Sequence, residues 1–204
     1  MPRLSYALVA VLAVALPSAA SAASPQSFKG EYTVSFLGLS IARSTFSSHY
    51  ENGAYAIEGS VSAAGLAKLF DDTRGTISSK GTISGKKMVP QAFRADYTSG
   101  KKASVVDIRF TNGAVTSTQV IPAPEKRDPN NWVPIGAGDL ASVLDPMAAT
   151  VIHADSLDQV CGRKVKFYDG EMRADLTLNY VSKGTISVPG YKGETITCRM
   201  GFEP

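Results

Sequence analysis

Two Asn-Gly dipeptides constrain this chain more than any other feature. Asn52-Gly53 and Asn112-Gly113 each separate stretches of strand-forming residues. Asn-Gly supplies the positive φ angles of a type I′ turn, which folds one strand back onto its neighbour. Tyr55, Ile57 and Val61 follow the first dipeptide at even offsets, and Val115 to Ile121 follow the second. Further turn signals stand at Gly38, Gly85-Lys86-Lys87, Ser99-Gly100-Lys101-Lys102 and Asp169-Gly170. Returns at roughly 8–12 residues are those of a sandwich or barrel. Connections this short make the pairing antiparallel, because parallel strands need longer crossovers. Strands are therefore expected over 28–36, 40–50, 55–61, 73–84, 93–98, 103–110, 115–121, 161–168 and 171–181, with more strand material at 88–90, 184–189 and 191–200. No internal repeat at a fixed period and no low-complexity tract accompanies them.

The alternation breaks in two places. Over 65–71, Leu66, Leu69 and Phe70 fall at i, i+3 and i+4, one face of a short helical turn. A turn this short is not stable alone and must pack on the sheet. It is expected either to plug one end of the sheet or to gate an apolar cavity, since barrel mouths are common ligand sites. The second break begins with Pro122 to Gly138, a Pro-, Asn- and Gly-rich loop longer than an ordinary connector. It carries Trp132, the single tryptophan, as a second candidate cover for that cavity. A helix is expected over 139–153, with Asp139 as its N-cap and the Asp145-Pro146 step capping a following turn.

The N-terminus reads as a removable export signal. Arg3 precedes an uninterrupted apolar run from Tyr6 to Leu16, Pro17 and Ser18 break it, and Ala20-Ser21-Ala22 gives the small-x-small pattern of a cleavage site. About 11 apolar residues are too few to cross a hydrocarbon core that needs roughly 20. No cysteine stands at the expected cleavage point, so lipid attachment there is not expected, and the mature chain is expected to start at Ala23. Removing residues 1–22 from the 204 leaves 182, a length suited to a single β-rich domain over 23–204. Only Arg3 is lost from the 21 basic residues, so 20 face 18 acidic ones and the net charge falls to +2. So small an excess gives no footprint for nucleic acid. After Leu16 no apolar run approaches membrane-spanning length, and a soluble mature protein is expected.

Cys161 and Cys198 are the only cysteines, and in an oxidising compartment they are expected to pair. No third cysteine or histidine stands at ligand spacing, so neither a metal nor a cofactor is expected. His49 and His153 are the only histidines; a hydrolase would need one of them beside a hydroxyl and a carboxylate. Ser84-Gly85-Lys86-Lys87 and Ser99-Gly100-Lys101-Lys102 carry the Ser-x-x-Lys spacing of serine acyl-enzymes, but both fall at expected hairpin tips rather than on a helix. Gly136-x-Gly138-x-x-Ala141 matches a dinucleotide fingerprint only superficially, because a Pro-rich loop rather than a strand precedes it. Asp71-Asp72 and the pair Asp155 and Asp158 follow no calcium-loop order.

Several stretches together resemble a bacterial envelope family catalogued as domain of unknown function 3108. They are Phe36 to Ala42, Gly59-Ser60 through Leu66 with Leu69-Phe70-Asp71, Gly81-Thr82-Ile83 with Val89 to Phe93, Leu144 to Ala149, and Val165 through Gly170. The resemblance implies an exported, strand-rich, barrel-like protein without assigned catalytic residues. Members of that family run on past the point where this chain stops, so the domain is expected to be incomplete at its C-terminal end. The expected fold is mainly β: antiparallel strands in an open, barrel-like or spiral sheet, with the short helical turn and the helix named above. The expected function is non-enzymatic support of the cell envelope in the periplasm, with a lipidic or amphipathic molecule held against a curved sheet by Leu66, Leu69, Phe70 and Trp132. The alternative is a protein-interaction module acting through a groove or an exposed strand edge. A hydrolase stands third.

Overall fold

The computed structural model describes residues 26–65, 68, 72–128, 130 and 132–203. Among them, ten strands form two antiparallel sheets. The first is a meander of seven in sequence order: β1 (Gln26–Phe36), β2 (Leu39–Glu51), β3 (Ala54–Ala63), β4 (Arg74–Ser84), β5 (Lys87–Ser99), β6 (Lys102–Thr111) and β7 (Ala114–Ile121). The second has the order β10-β9-β8, from β8 (Arg163–Tyr168), β9 (Arg173–Val188) and β10 (Tyr191–Glu203). Neither sheet closes into a barrel.

The turn chemistry acts where the sequence places it. Asn52 and Gly53 have φ of 50° and 73°, and Asn112 and Gly113 have 52° and 77°, the positive pairs of a type I′ turn. Leu37-Gly38 repeats the geometry at 50° and 79°, although a leucine is poorly suited to it. The expected strands at 88–90 and 93–98 form one strand, β5. Its Pro90 is accommodated by a register shift opposite Lys80 and Gly81. The stretches 171–181 and 184–189 likewise join into the 16 residues of β9.

The register sorts each strand into two faces, because directly paired residues share a side. On one face of the large sheet lies the core: Tyr55, Ile57, Met88, Phe93, Ile108 and Phe110, joined by Val143, Met147, Ala148 and Tyr168 from beyond β7. The other face is polar. Arg94 and Arg109 both reach Asp107 there, at 3.5 and 2.8 Å.

The helix expected over 139–153 does not form. Two 3-10 turns, Ala137–Leu140 and Ala148–Thr150, flank an extended stretch that stitches the two sheets together. Ala141 bridges Ala114 on β7, and Leu144 bridges Phe167 on β8. Ser142 N–H donates to Gly113 O at 2.8 Å, and Leu144 N–H to Lys166 O at 2.8 Å. The physical reason is local and tertiary together. Ser142 holds a φ of 57°, outside the helical region, and Pro146 disfavours helical geometry at Asp145. Backbone groups that a helix would pair internally are taken by β7 and β8 instead. The short helical turn expected over 65–71 falls largely outside the described residues.

The expected disulfide is present. Cys161 and Cys198 are bonded, with Cα atoms 5.8 Å apart, and fasten the chain just before β8 to β10. Between β9 and β10, Asp175 lies directly opposite Glu203. Lys164 of β8 neutralises the like charges, reaching Asp175 at 2.8 Å and Glu203 at 3.3 Å. This lysine, with the nearby Arg173, holds the Asp175 carboxyl below the usual carboxylate range.

Candidate functional site

The core face of the large sheet is covered over only part of its length. One row across it runs Ser48, Ile57, Ser79, Phe93 and Ile108, and the 140–151 segment packs over that end. Two rows further along, the partners are Tyr32, Ser44, Val61, Gly75 and Tyr97. Nothing among the described residues covers that row: Tyr32 is 52% exposed, Tyr97 48% and Val61 38%.

Between these rows lies a groove of about 590 Å³, within the several hundred Å³ usual for ligand sites. Tyr32 and Tyr97 stand at opposite sides, Phe46 and Ile77 form the middle, and Met147 from the covering segment closes one end. Small residues deepen the floor. A Cβ on Gly59 would lie 2.9 Å from Ile77 Cγ2, and one on Gly75 would lie 3.0 Å from Tyr97 Cβ. All described residues lining the groove are uncharged; the polar side chains on this face are the hydroxyls of Tyr32, Tyr97 and Ser44, with Thr150 from the covering segment, while Thr45, Ser60 and Thr76 contribute backbone and turn their hydroxyls to the other face.

The covering segment is pinned by one carboxylate. Asp145 is fully buried. Its Oδ1 accepts the N–H groups of Met147 and Ala148, each at 2.9 Å. Its Oδ2 accepts the Ser79 hydroxyl of β4 at 2.7 Å. That serine's one proton is thereby committed, so across the 3.3 Å to Tyr55 Oη the tyrosine hydroxyl is the group left to donate. Burial raises the Asp145 carboxyl above the ordinary carboxylate value despite the hydrogen bonds it accepts, and burial also raises the Tyr55 phenol. The Asp145-Pro146 step, expected to cap a helical turn, does engage the next two N–H groups. Its second oxygen goes to a strand 66 residues away, which no local pattern reveals.

Of the four side chains expected to hold a ligand, Leu66, Leu69 and Phe70 lie outside the described residues. Trp132 is half-buried in the long loop under Arg127, whose guanidinium carbon is 4.7 Å from the ring centroid. It is not among the residues lining the groove. The groove's own residues were absent from the sequence candidates. Alternation marks their face, but only the path of 140–151 tells which half stays open.

His49 meets both groups that a hydrolase would need. Its Nδ1 lies 2.8 Å from Ser27 Oγ, and its Nε2 lies 3.5 Å from Glu51 Oε2. The imidazole and the carboxylate are both about half exposed on the polar face. Water screens such a pair, and a carboxylate at that distance neither fixes the tautomer nor holds the ring. His153 packs edge-on against Tyr50 at 6.1 Å. The two Ser-x-x-Lys stretches lie at the β4–β5 and β5–β6 turns, and Gly136-x-Gly138 opens only the four-residue 3-10 turn. Asp155 pairs with Lys86 and Asp158 with Lys183. Among the described residues, no three acidic, cysteine or histidine side chains gather at metal-binding distances, and no helix is long and apolar enough to cross a membrane.

Fold and groove together define a class: an open, antiparallel, mainly β protein in which the described residues cover only part of the apolar sheet face. Residues 31–204 match the model of the family described as protein of unknown function (DUF3108), and the chain belongs to that family. No curated protein and no solved structure matches it.

Proposed function

We propose that this protein binds a lipidic or other amphipathic molecule in the groove between Tyr32 and Tyr97, and that it serves the cell envelope from the periplasm without catalysis. The observation that carries this reading is the open, uncharged half of the core face. Its exposed rings and aliphatic groups gain about 25 cal/mol for each Å² an apolar chain removes from water. The hydroxyls at its rim suit a ligand whose polar end is uncharged or reaches solvent. The export signal and the Cys161–Cys198 bond support an oxidising compartment.

The test is a fluorescence titration with N-phenyl-1-naphthylamine on the wild type and on Val61→Asp. Val61 is partly exposed, so aspartate there leaves the fold intact while putting a charge on the groove wall. Saturable dye binding that phospholipid or long-chain alcohol displaces, and that Val61→Asp abolishes, is the expected result. Equal binding by both proteins would overturn the assignment of the groove. The second reading, interaction through a strand edge, is favoured by the outer edges of β1 and β10, which pair with no further strand among the described residues.

A further inference from the structure

The strands at the two outer edges carry the same short pattern, an aromatic residue followed by Lys-Gly-Glu. Phe28-Lys29-Gly30-Glu31 lies on β1 and Tyr191-Lys192-Gly193-Glu194 on β10. Each glycine is roofed by a tyrosine two residues away on its own strand: a Cβ on Gly30 would lie 2.8 Å from Tyr32 Oη, and one on Gly193 would lie 2.7 Å from Tyr191 Oη. An aromatic ring over an edge glycine is a known way of fixing a strand in register. A lone lysine on an edge discourages pairing with another chain. Lysine two residues before glutamate does something more selective, because it penalises the registers centred on either charge and favours the one centred between them.

We propose that the outer edge of β1 pairs antiparallel with β1 of a second copy of this chain, about a two-fold axis at Gly30. Two copies related by an axis normal to the sheet keep their faces aligned only when the axis passes through a residue. Centred on Lys29 or on Glu31, the axis would set like charges directly opposite, which is unfavourable. Centred on Gly30, it sets Lys29 against Glu31 of the partner twice, and Phe28 against Tyr32 of the partner twice. Lys29 and Glu31 are well exposed and 3.7 Å apart along one strand, and their neighbours on β2 are Ser47 and Thr45. Their direct partners on β2 are thus uncharged, and Arg43 and His49 lie one same-face pair further along in either direction. Phe28 and Tyr32 are each about half exposed. The pairing is self-complementary and closes as a dimer, and it sets the two grooves side by side on one continuous face. The corresponding pairing of β10 would set Tyr191 against Thr195, an aromatic ring against a small hydroxyl, so β1 is the better edge.

The test uses the full chain, exported and recovered as the cell processes it, in sedimentation velocity over a concentration series. The wild type is expected to dimerise. Lys29→Glu is expected to weaken the dimer by roughly tenfold or more, and Lys29→Glu with Glu31→Lys in one chain to restore it. Lys192→Glu is expected to change nothing. Circular dichroism is expected to confirm that the variants keep the wild-type fold, since both charges lie in solvent. Ser27→Cys with Thr33→Cys in one chain fixes the register, since an axis at Gly30 sets residue 27 directly opposite residue 33 of the second copy: Cα atoms directly opposite across a sheet are about 4.5–5.5 Å apart, within disulfide range. This variant is expected to oxidise to a covalent dimer, and Thr33→Cys alone is not. A wild type that stays monomeric throughout would overturn the proposal. So would a charge swap that fails to restore association, or dissociation by Lys192→Glu in place of Lys29→Glu.

Discussion

Replacing Asp145 by alanine would strip three buried donors of their acceptor. The N–H groups of Met147 and Ala148 and the hydroxyl of Ser79 all end on this one carboxylate. Each buried donor left unpaired costs about 1–3 kcal/mol, and relief of the buried charge offsets part of the sum, leaving about 3 kcal/mol of destabilisation. For a domain of this size that lowers Tm by about 6–12 °C. Asp145→Asn keeps an acceptor for the two N–H groups and loses one bond of the Ser79–Tyr55 chain, about 1 kcal/mol. The pH dependence separates the two roles of the group. Burial raises the folded-state pKa of Asp145 above its unfolded value. Its contribution to stability is therefore fully present below the unfolded pKa and is lost as pH rises through the folded pKa. Wild type should gain on Asp145→Asn as the buffer is acidified from neutrality to below the ordinary carboxylate value. Urea unfolding of the three proteins at pH 7 and at about pH 3 measures this. An alanine variant within 0.5 kcal/mol of wild type, or a difference between wild type and Asn that is the same at both pH values, would refute the clamp.

Val61→Asp should abolish binding of an apolar dye, with less than about 1 kcal/mol lost in urea unfolding because the site is already wet. Gly81→Ala should destabilise by about 3 kcal/mol, since a Cβ there would lie 2.2 Å from Val89 O and 2.9 Å from Pro90 Cα; a fully stable variant would contradict the described register. The Cys161→Ala, Cys198→Ala double variant opens a bond closing 37 residues, so unfolding measurements should find about 3–4 kcal/mol less stability in the chain-entropy model.

Much of the sheet was legible because its signals are local. Asn52-Gly53 and Asn112-Gly113 specify their turns with two residues each, and alternation around Tyr55, Ile57 and Val61 fixes which side faces in. Cys161 and Cys198 were legible as a pair because no other cysteine competes. The segment over 139–153 was not, since Asp139 and Asp145-Pro146 carry helix-start signals. Yet the backbone there is claimed by β7 and β8, and the carboxylate by Ser79. Partners far off in sequence leave no trace in a local window. The groove was hidden for a related reason. Val61 and Ile57 read alike as inward-facing residues of β3, and only the path of the distant covering segment leaves the first open and buries the second. The matching Lys-Gly-Glu stretches on β1 and β10 are written in the sequence, but they gain meaning only once both strands are known to be edges.

Whether the groove holds a ligand is tested most directly by native mass spectrometry of the protein recovered as its cells process it, with its organic extract analysed alongside. A co-purifying lipid or isoprenoid of defined mass is expected on the wild type, and its loss is expected from Val61→Asp. An identical bound mass on both proteins would contradict ligand binding in the groove, as would a wild type that stays ligand-free when extracted gently and then offered envelope lipids.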